Sequence, residues 1–355
     1  MAGPREAGKH EEAGSDEPSS RATLEQVAAL AGVSRSTVSR VVNAHPKVSP
    51  AARRAVEAAI AQLGYLPNPA ARSLVTRRTR AVALVVREPD QRVFGEPFFA
   101  GIVRGISTAV GGHDLQLVLL LAGPDHDAQR LERYLFGGNI DGALLLSLHG
   151  DDPLPRHLLD RGVPTVMGGR PTTDDPRLSY VDVDNVGGAA RATAHLLAAG
   201  RREVGHITGP LDMVAGRDRR EGYRRAFAES GRPHVAELEV VGDFTREGGA
   251  AAMRELLRRR PDVDGVVASS DLAATGALQV LAEHGRRVPD DVAVTGFDDS
   301  LLAASAAPAL TTVHQPVEAM GTEMVRLLVG ELDGSRSRFA HRVVLPTELV
   351  VRDSA

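Results

Sequence analysis

Four polar side chains with recognition chemistry crowd one short stretch of this 355-residue chain: Arg35, Ser36, Ser39 and Arg40. They lie in RSTVSRVV, where Val38, Val41 and Val42 recur at helical spacing and leave the arginines and serines on faces open to a partner. A preceding helix and a Gly-containing tight turn make this the second helix of a helix-turn-helix, which enters a DNA major groove N-terminus first. No reactive centre competes with it. The sequence contains no GxSxG, no GxGxxG after a strand and no GxxxxGK[ST], the last forbidden because its two lysines are Lys9 and Lys47. Twelve scattered His without HExxH, and no Cys, lead us to expect no catalytic residue, no metal and no cofactor.

The elements that must hold these residues are legible. Thr23 with Gln26 forms a capping box, and Leu24, Val27, Ala28 and Ala31 supply one apolar stripe ending at Gly32. Ser34 caps the second helix. Ser49-Pro50 opens a third, with Val56, Ala59, Ile60 and Leu63 directed inward and Gly64 as the stop. Between residues 21 and 80, ten Lys or Arg stand against Glu25 and Glu57, a net +8 within a chain of net −4. A local basic excess in an acidic chain is the electrostatic footprint of phosphate binding. Next comes PNPAARSLV (67–75), where Asn68 can cap and Pro69 can start a helix of about seven residues, too short to stand alone in water. Such a segment folds when something holds it, and Leu74 then suits a wedge between base steps in a minor groove.

The run VAALAGVSRSTVSRVVN, with VSPAARRAVEAAIAQLGYLPNPAARSL after it, resembles the DNA-binding head and hinge helix of the lac-repressor (LacI/GalR) family. The resemblance implies that Arg35 and Ser36 occupy the variable positions that choose operator bases, and that Arg40 reads a base edge. It places Leu74, with Ala71 beside it, at the operator centre. It further implies phosphate contacts from Thr23, Ser34, Thr37, Ser39, Asn43 and Ser49. Arg at the first variable position suits a bidentate contact with guanine. Lys47 and Pro46 lie in a loop that varies in the family and carry little weight.

From Ala81 the period changes. Short apolar runs at 82–86, 115–121, 142–147 and 163–167 alternate with helical segments, and after SYVDVDN (179–185) the rhythm restarts at 204–208, 238–242, 264–269 and 291–297. Continuous apolar strands separated by helices predict parallel sheets covered on both faces, in two doubly wound lobes with a ligand at the strand carboxyl ends. The fold class is therefore α/β: a helix-turn-helix head and hinge helix, then a two-lobed core that resembles the periplasmic-binding-protein-like core of the same family. The expected domains are a tail (1–20), a head (21–67), a hinge helix and linker (68–78), and a core (79–355). By resemblance the chain crosses between lobes three times, with lobe one at about 79–181 plus 313–339 and lobe two at about 182–312 plus 340–352.

The resemblance also implies a cleft. Arg219 matches the family arginine that grips effector hydroxyls or a carboxylate, and Asp298 its acidic partner. Asp271, Phe244, Gln315, Phe98 and Phe99 are the further effector-binding candidates, Phe244 as an aromatic stacked on a sugar ring. An Arg–Asp pair with an aromatic wall is what a polyol site needs. A structural ion pair at the lobe rim is the other reading of Arg219 and Asp298. One departure stands out: Gly168-Gly169-Arg170 occupies a place where many members carry a ligand-binding Asp. This points to a smaller or more anionic effector, or to none.

Residues 1–20 are polar, without the apolar core of a signal peptide, and no 18-residue apolar run occurs anywhere. We expect a cytoplasmic, nucleoid-associated protein without a membrane partner. Its expected partners are a double-stranded DNA operator, a sugar-like small molecule and a second copy of itself; no heptad tail suggests a tetramer. The competing readings are a constitutive DNA-binding regulator with a degenerate cleft, a solute-binding protein, and an enzyme in which Arg219, Asp271 and Asp298 are catalysts.

Overall fold

The computed structural model describes residues 22–43, 45, 47–66, 78–123, 128–334 and 340–355. The expected tail and the expected hinge helix, with Ala71 and Leu74, lie outside the described residues. The chain divides into a head ending at Thr79 and a core beginning at Arg80.

In the head, helices Leu24–Ala31, Arg35–Val42 and Pro50–Leu63 begin and end where the capping residues dictate. Thr23 and Gln26 exchange both bonds of the capping box, Ser34 and Ser49 cap the next two helices, and Gly32 and Gly64 adopt the left-handed conformation that ends a helix at little cost. Val27, Val38 and Val56, one from each helix, meet in a core closed by Val41, Ala59 and Tyr65. Leu63, expected inward, is instead 36% exposed. Gly64 reverses the chain, the Tyr65 amide returns to the Ile60 carbonyl, and Tyr65 rather than Leu63 is buried in the head core.

The core holds two six-stranded sheets. The first comprises β1 (Ala81–Val86), β2 (Gln116–Leu121), β3 (Gly142–Leu146), β4 (Thr165–Gly168), β5 (Ser179–Val183) and β11 (Arg342–Leu345), in the order β11-β5-β4-β3-β1-β2. The second comprises β6 (Val204–Thr208), β7 (Glu239–Val241), β8 (Gly265–Ala268), β9 (Ala293–Asp298), β10 (Thr311–His314) and β12 (Glu348–Val350), in the order β12-β10-β9-β8-β6-β7. All pairings are parallel except β12 against β10. Each sheet reverses strand order at its first strand, β1 or β6, and such a switch point opens a crevice at the strand carboxyl ends.

The strands put the three crossings after Val183, after His314 and after Leu345. Three boundaries differ from expectation. Residues 182–183 belong to lobe one, as the end of β5 beside β11. Residues 313–314 belong to lobe two, since β10 lies beside β9. Residues 342–345 belong to lobe one, as a parallel neighbour of β5. That four-residue strand, RVVL, is half-exposed at a sheet edge and too short to mark its sheet from sequence. Among the described residues, four helices also went unread: Asp90–Gly95, Leu154–Asp160 and Leu301–Ser305, each too short to display a helical period, and Val317–Leu332, which lies beyond the last apolar run read.

Helix Val317–Leu332 returns from lobe two to pack on Pro97–Gly111 over the first sheet. Their approach is close enough that a Cβ on Gly105 would fall far inside van der Waals contact with the Glu318 backbone carbonyl. Backbone cannot swing aside as a side chain can, so glycine is required there. None of the described helices is long and apolar enough to cross a membrane. Gly105→Ala is expected to force the two helices apart and destabilise the core by about 1–3 kcal/mol; urea denaturation with an unchanged midpoint would contradict this packing account.

Candidate functional site

On the head, Arg35, Ser36 and Arg40 are all exposed on helix Arg35–Val42. Arg35 Nε lies 3.1 Å from Glu25 Oε1, with both side chains more than half exposed. A surface pair of this kind is worth about 0–1 kcal/mol, so Arg35 is readily surrendered to a stronger acceptor. Ser34, Thr37, Arg40 and Ser49 line one shallow hollow together with Lys47, a residue the sequence reading set aside. Hydroxyls and two cations around a hollow suit a phosphate oxygen. Thr23 is occupied by its capping box. Asn43 caps its helix, its Nδ2 donating 2.8 Å to the Ser39 carbonyl and its Oδ1 buried without a partner among the described residues; its second amide N–H leaves the expected phosphate contact as a proposal.

In the core, the carboxyl ends of the two sheets face one another across a cleft that encloses roughly 1350 Å³, open solvent at its mouth included. Phe98, Phe99, Arg219, Phe244, Asp271, Asp298 and Gln315 all line it. The backbone turns out of the strands in strained form: Ser147 (φ 56°), Phe244 (φ 71°) and Asp298 (φ 121°) take left-handed conformations costing roughly 1–3 kcal/mol each, strain that collects at ligand sites.

Arg219 projects from the second turn of helix Val214–Glu229 and is 6% exposed. Its Nε donates to Asn185 Oδ1 at 2.9 Å, its Nη1 to the Ser269 carbonyl at 2.5 Å, and its guanidinium lies 3.6 Å above the Phe297 ring. Among the described residues its Nη2 makes no hydrogen bond. Burial pushes the Arg219 pKa down, while Asp298, Asp182 and Asp271 oppose the fall. Asp298 lies 3.8 Å from Nη1, and its Oδ1 accepts from Gln315 Nε2 at 2.6 Å. Burial pushes the Asp298 carboxyl pKa up, Arg219 resists, and Asp271 and Glu96 push the same way as burial. The pair is thus an open one, with a donor and an acceptor left for a ligand. A closed structural ion pair would have consumed both.

The Phe244 ring is half-buried, 5.4 Å from the Arg219 guanidinium, and fills the space a side chain at Gly209 would occupy. Phe98 is half-buried against Phe99 in an edge-to-face contact at 5.2 Å. Phe99 itself is 2% exposed and belongs to the lobe-one core, so it supports the wall rather than presenting it.

Two expectations need correction. Asp271 is 1% exposed, and both its oxygens are taken, Oδ1 by Thr312 Oγ1 at 2.5 Å and Oδ2 by the Ser300 amide at 2.7 Å. It braces the loop after β9 and the strand β10 against its own helix, and at 1% exposure it presents almost no surface to an effector. Arg170 does not make the cleft anion-seeking. Its Nε donates to Asp182 at 3.0 Å and it pairs also with Asp218, from the other lobe, so its charge is already compensated. Seven carboxylates and four arginines line the cleft, but Asp152 pairs with Arg87 and Asp175 with Arg177 from outside the lining, so the wall is largely charge-compensated, which suits an uncharged polyol.

Sequence reasoning missed Asn185 and Asp182. Asp182 Oδ1 accepts from Asn185 Nδ2 at 3.1 Å, which turns the Asn185 oxygen towards Arg219. Both stand in the strand-end run VDVDN, where two carboxylates and an amide in five residues mark a polar strand terminus.

A DNA-facing helix-turn-helix and a two-lobed core around a polar, aromatic-walled cleft define a ligand-responsive transcriptional regulator. Residues 23–68 match the family model for bacterial regulatory proteins of the lacI family, and residues 193–355 match a periplasmic binding protein-like domain. The chain is 54% identical over 335 residues to the HTH-type transcriptional regulator CelR of Thermobifida fusca, covering 94% of this chain and 98% of that one. It is 36% identical over 331 residues to the ribose operon repressor of Escherichia coli K12, covering 92% and 94%. Among solved structures, a complex of the transcriptional regulator CelR with cellobiose superposes with a TM-score of 0.76 at 52% identity, covering 94% of this chain and all of that one. The chain belongs to the lacI family of bacterial regulatory proteins. Asp271→Ala is expected to destabilise the core by about 1–3 kcal/mol, because two donors lose their acceptor; thermal unfolding unchanged from the parent would return Asp271 to the list of ligand groups.

Proposed function

We propose that the protein is a repressor that binds a pseudo-palindromic operator as a homodimer and changes its operator affinity when a neutral sugar enters the interlobe cleft. The observation that carries this reading is the open pair of Arg219 and Asp298 beside Phe244: one unused guanidinium nitrogen and one unused carboxylate oxygen meet adjacent hydroxyls, and the ring covers the apolar face of a pyranose. The cellobiose held by its relative favours a disaccharide of that kind as the first candidate. Arg92, Arg156 and Arg170 in the lining are already paired with carboxylates, which disfavours sugar phosphates.

Arg35, Ser36 and Arg40 are the proposed base readers, with Leu74 and Ala71 at the operator centre. Ser34, Thr37 and Ser49 are the proposed phosphate contacts, joined by Lys47 from the same hollow; Thr23, Ser39 and Asn43 stay on the list with weaker support. The protein is read as a regulator without an enzymatic reaction, at work on the nucleoid. Ligand-driven rearrangement of the lobes would alter the spacing of two 68–75 segments in a dimer, a population shift through a marginal element. The degenerate-cleft alternative rests on the missing carboxylate at Gly169, and the donor and acceptor left on Arg219 and Asp298 weigh against it.

The test is an operator titration on DNA selected from a random pool, repeated with cellobiose, other disaccharides and sugar phosphates. Sequence-selective binding that shifts with one neutral sugar is expected. Binding that no sugar alters would instead favour the constitutive regulator. Arg219→Ala is expected to abolish the sugar response and leave operator affinity without sugar intact. In the same titration, Arg40→Ala should cost about 1–3 kcal/mol on the selected site and relax its base preference; an equal loss on unrelated DNA would identify Arg40 as a phosphate contact.

A further inference from the structure

A chain of alternating charge leaves the cleft and ends on the other lobe. Glu96 and Arg92 line the cleft, with Arg92 Nε 2.6 Å from Glu96 Oε1. Arg92 Nη1 donates at 2.9 Å to Oε2 of Glu88, a carboxylate only 2% exposed behind β1. Oε1 of Glu88 accepts from Ser147 Oγ at 2.9 Å and meets His149 Nε2 at 3.1 Å. The other ring nitrogen of His149, Nδ1, lies 2.9 Å from Oδ2 of Asp212. Glu88 and His149 belong to lobe one; Asp212 stands in lobe two, immediately before the helix that carries Arg219. The Gly150 amide donates to the Asp212 carbonyl at 3.1 Å, which holds the two loops in register.

Both nitrogens of one imidazole therefore face carboxylate oxygens. Neutral imidazole has a single N–H, so one nitrogen would present its lone pair to a carboxylate; imidazolium donates at both. The remaining charges nearby are already paired: Asp152 with Arg87 at 2.8 Å, Asp151 with Arg156 at 2.5 Å, and Glu96 with Arg92. Glu88 and Asp212 are what His149 meets.

We propose that His149 is a proton-gated clasp between the lobes: as imidazolium it ties Glu88 of lobe one to Asp212 of lobe two, and as neutral imidazole it lets lobe two go. The sign follows from linkage. The hydrogen bond to Glu88 is the largest influence and raises the His149 pKa, burial opposes it, and Asp212 adds to the rise. A lobe arrangement without Asp212 has lost part of that support. The clasp is thus at full strength below the ordinary histidine value of about 6.5 and is lost as pH climbs through the raised value. Each unit by which the clasp raises that value changes the closed-to-open ratio about tenfold. Because the charge chain begins at two cleft-lining residues, the state of His149 bears on ligand capture as well as on lobe closure.

The test uses no sugar, so its failure is separate from any failure of the effector reading. The full chain has no cysteine, which allows one dye-bearing cysteine on an exposed position of each lobe. Energy transfer between the dyes is followed from about pH 5 to about pH 8.5, where histidine charge changes. In the parent the lobes should separate with rising pH, with a midpoint above the ordinary histidine value. In His149→Gln, and in Asp212→Asn, which changes only the side chain at an exposed position and leaves the backbone bond to Gly150 in place, the distance should not respond to pH. A parent without the transition, or both variants retaining it at the same midpoint, would overturn the clasp.

Discussion

Everything in the core is arranged around one uncomfortable object, the guanidinium of Arg219 buried between two lobes. Removing such an ion from water costs several kcal/mol even after the protein relaxes, and only well-placed acceptors offset that. The structure supplies an amide oxygen from Asn185, a main-chain carbonyl from Ser269 and the face of Phe297. Asn185 is oriented because Asp182 and the Val183 carbonyl accept from its amide nitrogen. Asp298 stops short of a direct bond, held back by Gln315. The compensation is sufficient for folding and incomplete for charge, and an incompletely satisfied buried pair is what a ligand rich in hydroxyls can complete.

That arrangement needs two sheets whose carboxyl ends face each other. Each sheet reverses order at its first strand, so each has one crevice, and the three crossings turn the two crevices towards one another. The returning strands do the rest. β11 seals the edge of the first sheet and β12 the edge of the second, the latter antiparallel because only two residues separate them, too few for a parallel return. Long-range exchange of this sort makes neither lobe independent of the other, and gives side chains such as Arg170 and His149 opposing partners across the gap.

Much of this was legible. Caps, stops and apolar stripes set the three head helices to the residue, because each such signal is satisfied within four positions along the chain. The alternation of apolar runs with helical segments marked eight of the twelve strands, β1 to β4 and β6 to β9, and the motif match brought Arg219, Asp298, Gln315 and Phe244 to one cleft. Failures clustered where local pattern is ambiguous. Leu63 and Tyr65 both fit the end of a stripe, and only the direction of the turn at Gly64 chooses between them. Asp271 carries the right chemistry at the right turn, yet Thr312 and Ser300 reached it first.

The sequence by itself determined the class of the protein, the order of its elements and the identity of the groups that could meet DNA and a polyol, since these depend on residue type and on spacings of two to four. The tertiary structure alone decided which charges remain available. Arg170 looked like an invitation to anions until Asp182 and Asp218, 12 and 48 positions away, were found to hold it. Arg219 looked like half of an ion pair until Asn185 and Ser269, 34 and 50 positions away, proved to be its nearer partners. A charge acts through what neutralises it, and in a doubly wound fold its neutralising partners come from other strand ends, at separations no local pattern encodes.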